Sequence, residues 1–188
     1  MAKKSTAQAS WLQTTAIRVT RVHFLYVAVY ILSTIIFDMW NLYAYEVVTQ
    51  LWTAAGLLLV LNTVLWYLGR MKFSDEKIYA IMVILLVVAD IAFAAYNVYW
   101  QRGLASKSVA LFAVPIITAA TLRSRTTLLA ASSLCVAAYS MVAVRYFFLH
   151  YGESFRVELY GSVGFYSAMF FVLAGLLLII IKPTKENL

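Results

Sequence analysis

Residues Ile78 to Tyr99, IYAIMVILLVVADIAFAAYNVY, form an apolar run of 22 residues with one charged side chain, Asp90, near its centre. A helix needs about 20 apolar residues to cross the hydrocarbon core of a bilayer, and this run is long enough. A carboxylate at that depth costs roughly 2.5–3.5 kcal/mol on insertion scales, so Asp90 requires a partner or a purpose.

Five further apolar blocks accompany it. The spacing predicts spans over about 19–37, 46–68, 78–99, 108–122, 127–148 and 159–181. Only the block at 108–122 is clearly short for a crossing. The chain is 64% hydrophobic and 12% charged, where soluble domains carry about a quarter charged residues. These features predict an all-α, polytopic protein: residues 1–188 as one membrane domain of six transmembrane helices, with the lipid bilayer as its surroundings.

Lysine and arginine set the orientation, because cytoplasmic loops are enriched in them. With the N-terminus inside, Lys3, Lys4, Arg18, Arg21, Arg70, Lys72, Lys77, Arg123, Arg125, Lys182 and Lys185 are cytoplasmic. Only Arg102, Lys107, Arg145 and Arg156 fall on the other side. Both termini are then cytoplasmic, in a cell (cytoplasmic) membrane. The same rule accounts for the net charge of +7 without nucleic acid as a partner. The N-terminal 21 residues do not read as a cleavable signal, because their apolar part begins late and runs into a full span. Trp11, Leu12, Ile17 and Val19 hint at a short interfacial helix, with a frayed tail as the alternative. The outer connections, DMWNLYAYE, YWQRGLASK and FLHYGESFRVE, are short and aromatic, so recognition falls to the helices and their rims.

Inside the spans the polar residues are few. Asp90 and Asn97, seven apart, share a helix face. On the fifth span Ser132 and Tyr139 lie on one stripe, and Arg145 lies near the outer end. Asp90 is about 18 Å above Ile78 and Arg145 about 27 Å above Thr127, a gap that an arginine side chain can bridge. Two readings stay open. Asp90, Asn97, Tyr139 and Arg145 line an outward-opening ligand pocket, or Asp90 and Arg145 form an internal clasp. Asp90 hydrogen-bonded to a Tyr or Ser is a variant of the second.

Other features concern packing. Trp52, Ala55, Leu59, Asn62 and Trp66 form a stripe on the second span, with Asn62 as interhelical glue. Gly161, Gly164, Ala168 and Gly175 form a small-residue seam on the sixth, for packing inside the bundle or at a homodimer interface. Pro115 predicts a kink in the fourth span. The lone Cys135 excludes an intramolecular disulfide, and His23 and His150 lie at opposite ends of spans. No paired intramembrane acid, metal-ligand cluster or phosphate loop is present, so neither a metal, a cofactor nor an enzyme is expected.

The stretch SVALFAVPIITAATLRSRTTLLAASSLCVAAYS carries a proline between apolar residues (Val114-Pro115-Ile116) followed by small residues. A tight basic turn, Arg123-Ser124-Arg125, then leads into an Ala/Leu-rich helix. In this, and in helix number, short loops and orientation, the chain resembles the six-helix membrane sensor domains of bacterial histidine kinases and diguanylate cyclases. The resemblance implies a sensory or regulatory module for a small or lipidic ligand, dimeric and coupled to a cytoplasmic kinase or other output protein. The last span ends at Ile181 before KPTKENL, where Pro183 breaks a helical continuation, so the expectation is either output through a partner or a sequence that is a piece of a longer chain. The alternatives are a substrate-binding subunit of an uptake transporter, matched in size and topology only, and a ligand-free assembly factor.

Overall fold

The computed structural model describes residues 2–103, 106–150 and 156–181. The tail with Lys182, Pro183 and Lys185, and the side chains of Lys3, Lys4 and Arg156, lie outside that description. The described chain is all-helical: α1 (Ala2–Met39), α2 (Tyr45–Arg70), α3 (Lys77–Trp100), a 3-10 helix (Lys107–Phe112), α4 (Ala113–Ala120), α5 (Arg125–His150) and α6 (Arg156–Ile180). Among the described residues five helices are long and apolar enough to cross a membrane: α1, α2, α3, α5 and α6. The chain is a multi-pass helical membrane protein. Its contacts gather into two compact units, residues 1–86 and 87–188, with the boundary inside α3.

In the first unit α1 packs along α2. The residues that α1 buries include Ala16, Val19, Thr20, His23, Val27, Tyr30 and Thr34, while Val22, Leu25, Val29, Leu32 and Ile36 are exposed. Both sets advance by three and four, so each is one helix face. Between Val22 and Ile36 the buried face is the more polar of the two, as expected where the outer solvent is hydrocarbon. Thr20 and Thr34 return their hydroxyls to the carbonyls of Ala16 and Tyr30, each at 3.0 Å. His23 Nδ1 lies 2.9 Å from the Val19 carbonyl.

On α2 the buried stripe is Val48, Leu51, Ala55, Leu58, Asn62, Leu65 and Gly69. The expected stripe is thus half right: Ala55 and Asn62 belong to it, but Trp52 and Leu59 are exposed. Asn62 Nδ2 donates to the Thr20 carbonyl at 3.1 Å, joining α2 to α1. Gln13 Nε2 reaches the carbonyls of Gly69 and Met71 at 3.3 and 3.4 Å. It thereby caps acceptors that the end of α2 leaves over. Tyr79 fastens the following turn, its hydroxyl donating to Met71 O at 2.8 Å and accepting from Phe73 N–H at 3.1 Å.

The ends of α1 differ from the expected span. The helix runs unbroken from Ala2, so the interfacial segment and the first span are one element. It stops at a Schellman turn: Asn41 takes φ 49°, Leu42 N–H bonds Phe37 O at 2.9 Å and Asn41 N–H bonds Asp38 O at 3.0 Å.

In the second unit the C-terminal half of α3, the 3-10 helix, α4, α5 and α6 share a core that includes Val98, Phe112, Ile116, Leu128, Tyr139, Phe147 and Phe170. The fourth expected span is the 3-10 helix followed by α4, 14 residues from Lys107 to Ala120. At about 2.0 and 1.5 Å per residue in its two parts it rises about 24 Å, less than a bilayer core. Pro115 does not kink a helix interior. It is the third residue of α4, in the first turn, where its missing N–H costs little. The basic turn after α4 is tight as expected: Arg123 takes φ 53°. Ser124 Oγ then accepts from Thr127 N–H at 3.3 Å, capping α5.

The small-residue seam on α6 is oriented differently from bundle packing. No atom lies within 4 Å of a Cβ built on Gly161, Gly164 or Gly175, and Ala168 is exposed. The helix packs instead through Leu159, Phe170 and Ala174, on its opposite side.

Candidate functional site

The second unit holds most of the residues that the sequence singles out. Asp90 and Asn97 lie on one face of α3, 1% and 0% exposed. Asn97 Nδ2 donates to the Phe93 carbonyl at 2.8 Å, and its Oδ1 accepts from Gln101 Nε2 at 3.5 Å. Gln101 Oε1 accepts from Ser108 Oγ at 2.7 Å. Ser106 Oγ in turn accepts from Ser108 N–H at 3.0 Å, capping the 3-10 helix. Asn97, Gln101, Ser106 and Ser108 are all buried, so this is a continuous polar chain inside an apolar unit. It ties the end of α3 to the start of the 3-10 helix.

The connection between them is sharp. Arg102 and Gly103 take φ of 74° and 59°. A Cβ on Gly103 would overlap the Tyr146 ring, so glycine serves both the turn and the close approach.

Tyr139 is fully buried and centres an aromatic cluster with Phe112, Tyr166 and Phe170, at centroid distances of 6.1, 5.4 and 6.1 Å. Among the described residues its hydroxyl has no hydrogen-bond partner. One turn earlier Cys135 directs its thiol at the Phe112 carbonyl, 3.8 Å away.

Arg145 does not join this group. It is exposed, and its guanidinium lies 5.9 Å from the centroid of Tyr99. Tyr99 is nine residues beyond Asp90 on α3, about 13 Å along the axis. An Asp90–Arg145 clasp is therefore absent among the described residues, and Arg145 belongs to the rim. There Tyr99 also meets Tyr146 edge-on at 5.8 Å, and Tyr146 stacks on His150 at 4.1 Å.

Beside the aromatic cluster the unit opens into a cleft of about 360 Å³ between the 3-10 helix and α6. Its walls are Ser106, Lys107, Val109, Ala110 and Ala113 on one side and Phe165, Tyr166, Met169, Phe170 and Leu173 on the other. Tyr166 and Phe170 are shared between the cleft and the Tyr139 cluster. That volume is in the range of small-molecule sites, which are apolar with a few placed polar groups. Among the described residues no three His, Cys, Asp or Glu side chains converge on a metal position. The arrangement offers an apolar slot, neutral hydrogen-bonding groups and one lysine.

Gln101 and Ser106 escape a search confined to the spans, because they sit in a stretch that reads as an outer connection, and Ser108 is the first residue of the expected fourth span. One signal does exist. Gln101 follows Asn97 by four residues and Asp90 by eleven, and so continues the same face. The cleft has no such signal, because its two walls are some 60 residues apart in the chain. The chain matches no protein-family model, no curated protein and no solved structure.

Proposed function

We propose that this protein is a membrane-embedded sensory or regulatory module that binds a small or lipidic ligand in its second unit and acts through a partner. The observation that carries the reading is the cleft between the 3-10 helix and α6, with walls continuous with the Tyr139 cluster. Occupancy there would bear on Tyr166 and Phe170, and through them on α5. The Arg123-Ser124-Arg125 turn begins α5 and is the natural place for a cytoplasmic partner to sense it. The role is one of binding, not of catalysis.

The same reading places six crossings in a cytoplasmic membrane with both termini inside, the 14-residue segment Lys107–Ala120 supplying the short fourth crossing. It rests on the Lys and Arg distribution. The open small-residue face of α6 suits a homodimer contact. An uptake subunit is the competing reading.

A thermal-shift screen of the purified protein against fractionated membrane lipids and small polar metabolites tests the binding claim. One fraction is expected to raise the melting temperature of the native chain by several degrees and that of Ala110→Trp, which fills the cleft, far less. Equal shifts in both proteins for every fraction would refute a site in the cleft. Accumulation of the active compound in vesicles holding this chain and an energised partner would favour transport.

A further inference from the structure

The cleft has a polarity along its length. Lys107 opens the 3-10 helix at the end where α3 finishes, and it lines the cleft there. The wall from Lys107 to Ala113 rises about 12 Å, and the facing wall from Phe165 to Leu173 covers about the same distance. Beyond Lys107 and Ser106, whose hydroxyl is engaged by Ser108 N–H, the lining is Val109, Ala110, Ala113, Phe165, Met169, Phe170 and Leu173 with the Tyr166 ring. The slot is thus apolar along its walls and cationic at one end.

Lys107 is exposed, and no described carboxylate pairs with it. Arg102, beside Gly103, and Arg145, against Tyr99, are exposed near the end of α3, and the carboxylate of Glu158 in the first turn of α6 is exposed as well. A lysine at a helix end reaches the headgroup level while its stem lies along apolar surface. The opening faces the side of α6 that carries exposed Phe165 and Met169 (60% and 46% exposed), a surface suited to acyl chains.

We propose that the cleft seats one acyl chain of an anionic lipid, with the phosphate or carboxylate of its head held by the Lys107 ammonium. This deepens the proposed ligand site and depends on it.

Lipid retention measured by native mass spectrometry tests it. The protein is released from nanodiscs of equal phosphatidylglycerol and phosphatidylcholine. The native chain is expected to retain phosphatidylglycerol about fivefold over phosphatidylcholine, the worth of one basic residue beside anionic lipid. Lys107→Gln should bring the ratio near one while total retention persists. Ala110→Trp and Met169→Trp, on opposite walls and at exposed positions, should each lose retention of both lipids, with circular dichroism confirming an intact helical fold.

A head preference that survives Lys107→Gln, or no preference in the native chain, would overturn the role of Lys107 and leave the cleft as a ligand site. Displacement of the lipid by millimolar inorganic phosphate would overturn the acyl-chain half, showing that a free anion suffices. Retention indifferent to both wall variants would overturn the inference and the ligand site together.

Discussion

The two units of the chain weight their polar residues differently, though Ser132 in the second also bonds its own helix and Gln13 and Tyr79 in the first reach other segments. In the first, hydroxyls turn back on their own helices: Thr20, Thr34, Thr49, Thr53 and Thr63 all bond the carbonyl four residues earlier. Asn62 adds a link between helices. In the second unit Asn97, Gln101 and Ser108 bond one another and run from helix into loop. A self-satisfied hydroxyl lets a helix sit in lipid with little cost. A chain of mutually dependent groups ties the end of α3 to the start of the 3-10 helix, and that start, with Ser106 and Lys107, forms the charged end of the cleft. The first unit reads as scaffold and the second as working part.

The contrast can be broken by substitution, and the largest effect is expected at the loop. Gly103→Ala must place a Cβ at positive φ against Tyr146, and should destabilise the protein by about 3 kcal/mol. Denaturant unfolding in micelles would show it. Gln101→Leu leaves Asn97 Oδ1 and the Ser108 hydroxyl without their buried partner, an expected loss of about 2 kcal/mol by the same assay. Asn62→Leu should cost less, about 1 kcal/mol or below. Interhelical hydrogen bonds in membranes average about 0.6 kcal/mol, and Asn62 Oδ1 has no hydrogen-bond partner among the described residues. If Asn62→Leu proves the costlier of the two, the division into scaffold and working part fails.

The smallest effect concerns Asp90 and Arg145. Because Arg145 lies against Tyr99 on the rim, a double-mutant cycle of Asp90→Asn and Arg145→Gln should be additive within about 0.5 kcal/mol. A coupling of 1 kcal/mol or more in the melting data would restore the clasp.

How much of this was legible in the sequence follows from the range of each interaction. The helices could be read because hydropathy and length are local, and burial of Asp90 and Asn97 follows from their shared face. On α2 the structure buries Ala55 and Asn62 and leaves Trp52 and Leu59 exposed. Large aromatic and aliphatic side chains are equally at home against protein or lipid, so hydropathy cannot say which way they point in a membrane. The α6 seam misled for the same reason: glycine spacing shows that a face is small and is silent on what faces it. Pro115 implied a kink because the 3-10 segment before it has no apolar signature that separates it from an α-helix. The pairing of Asp90 with Arg145 matched depths along two helices but lacked the rotation of the arginine toward Tyr99. The cleft depends on two segments distant in the chain, and no local pattern contains it.

The central claim is that the second unit seats an anionic lipid in the cleft between the 3-10 helix and α6. Its most direct test is hydrogen–deuterium exchange of the native chain in nanodiscs of phosphatidylglycerol and of phosphatidylcholine, read on peptides covering 106–113 and 163–173. The account predicts slower exchange at 106–113 in phosphatidylglycerol for the native chain, and no lipid dependence for Ala110→Trp. Exchange at 106–113 that is identical in the two lipids, or equally lipid-dependent in Ala110→Trp, would contradict it.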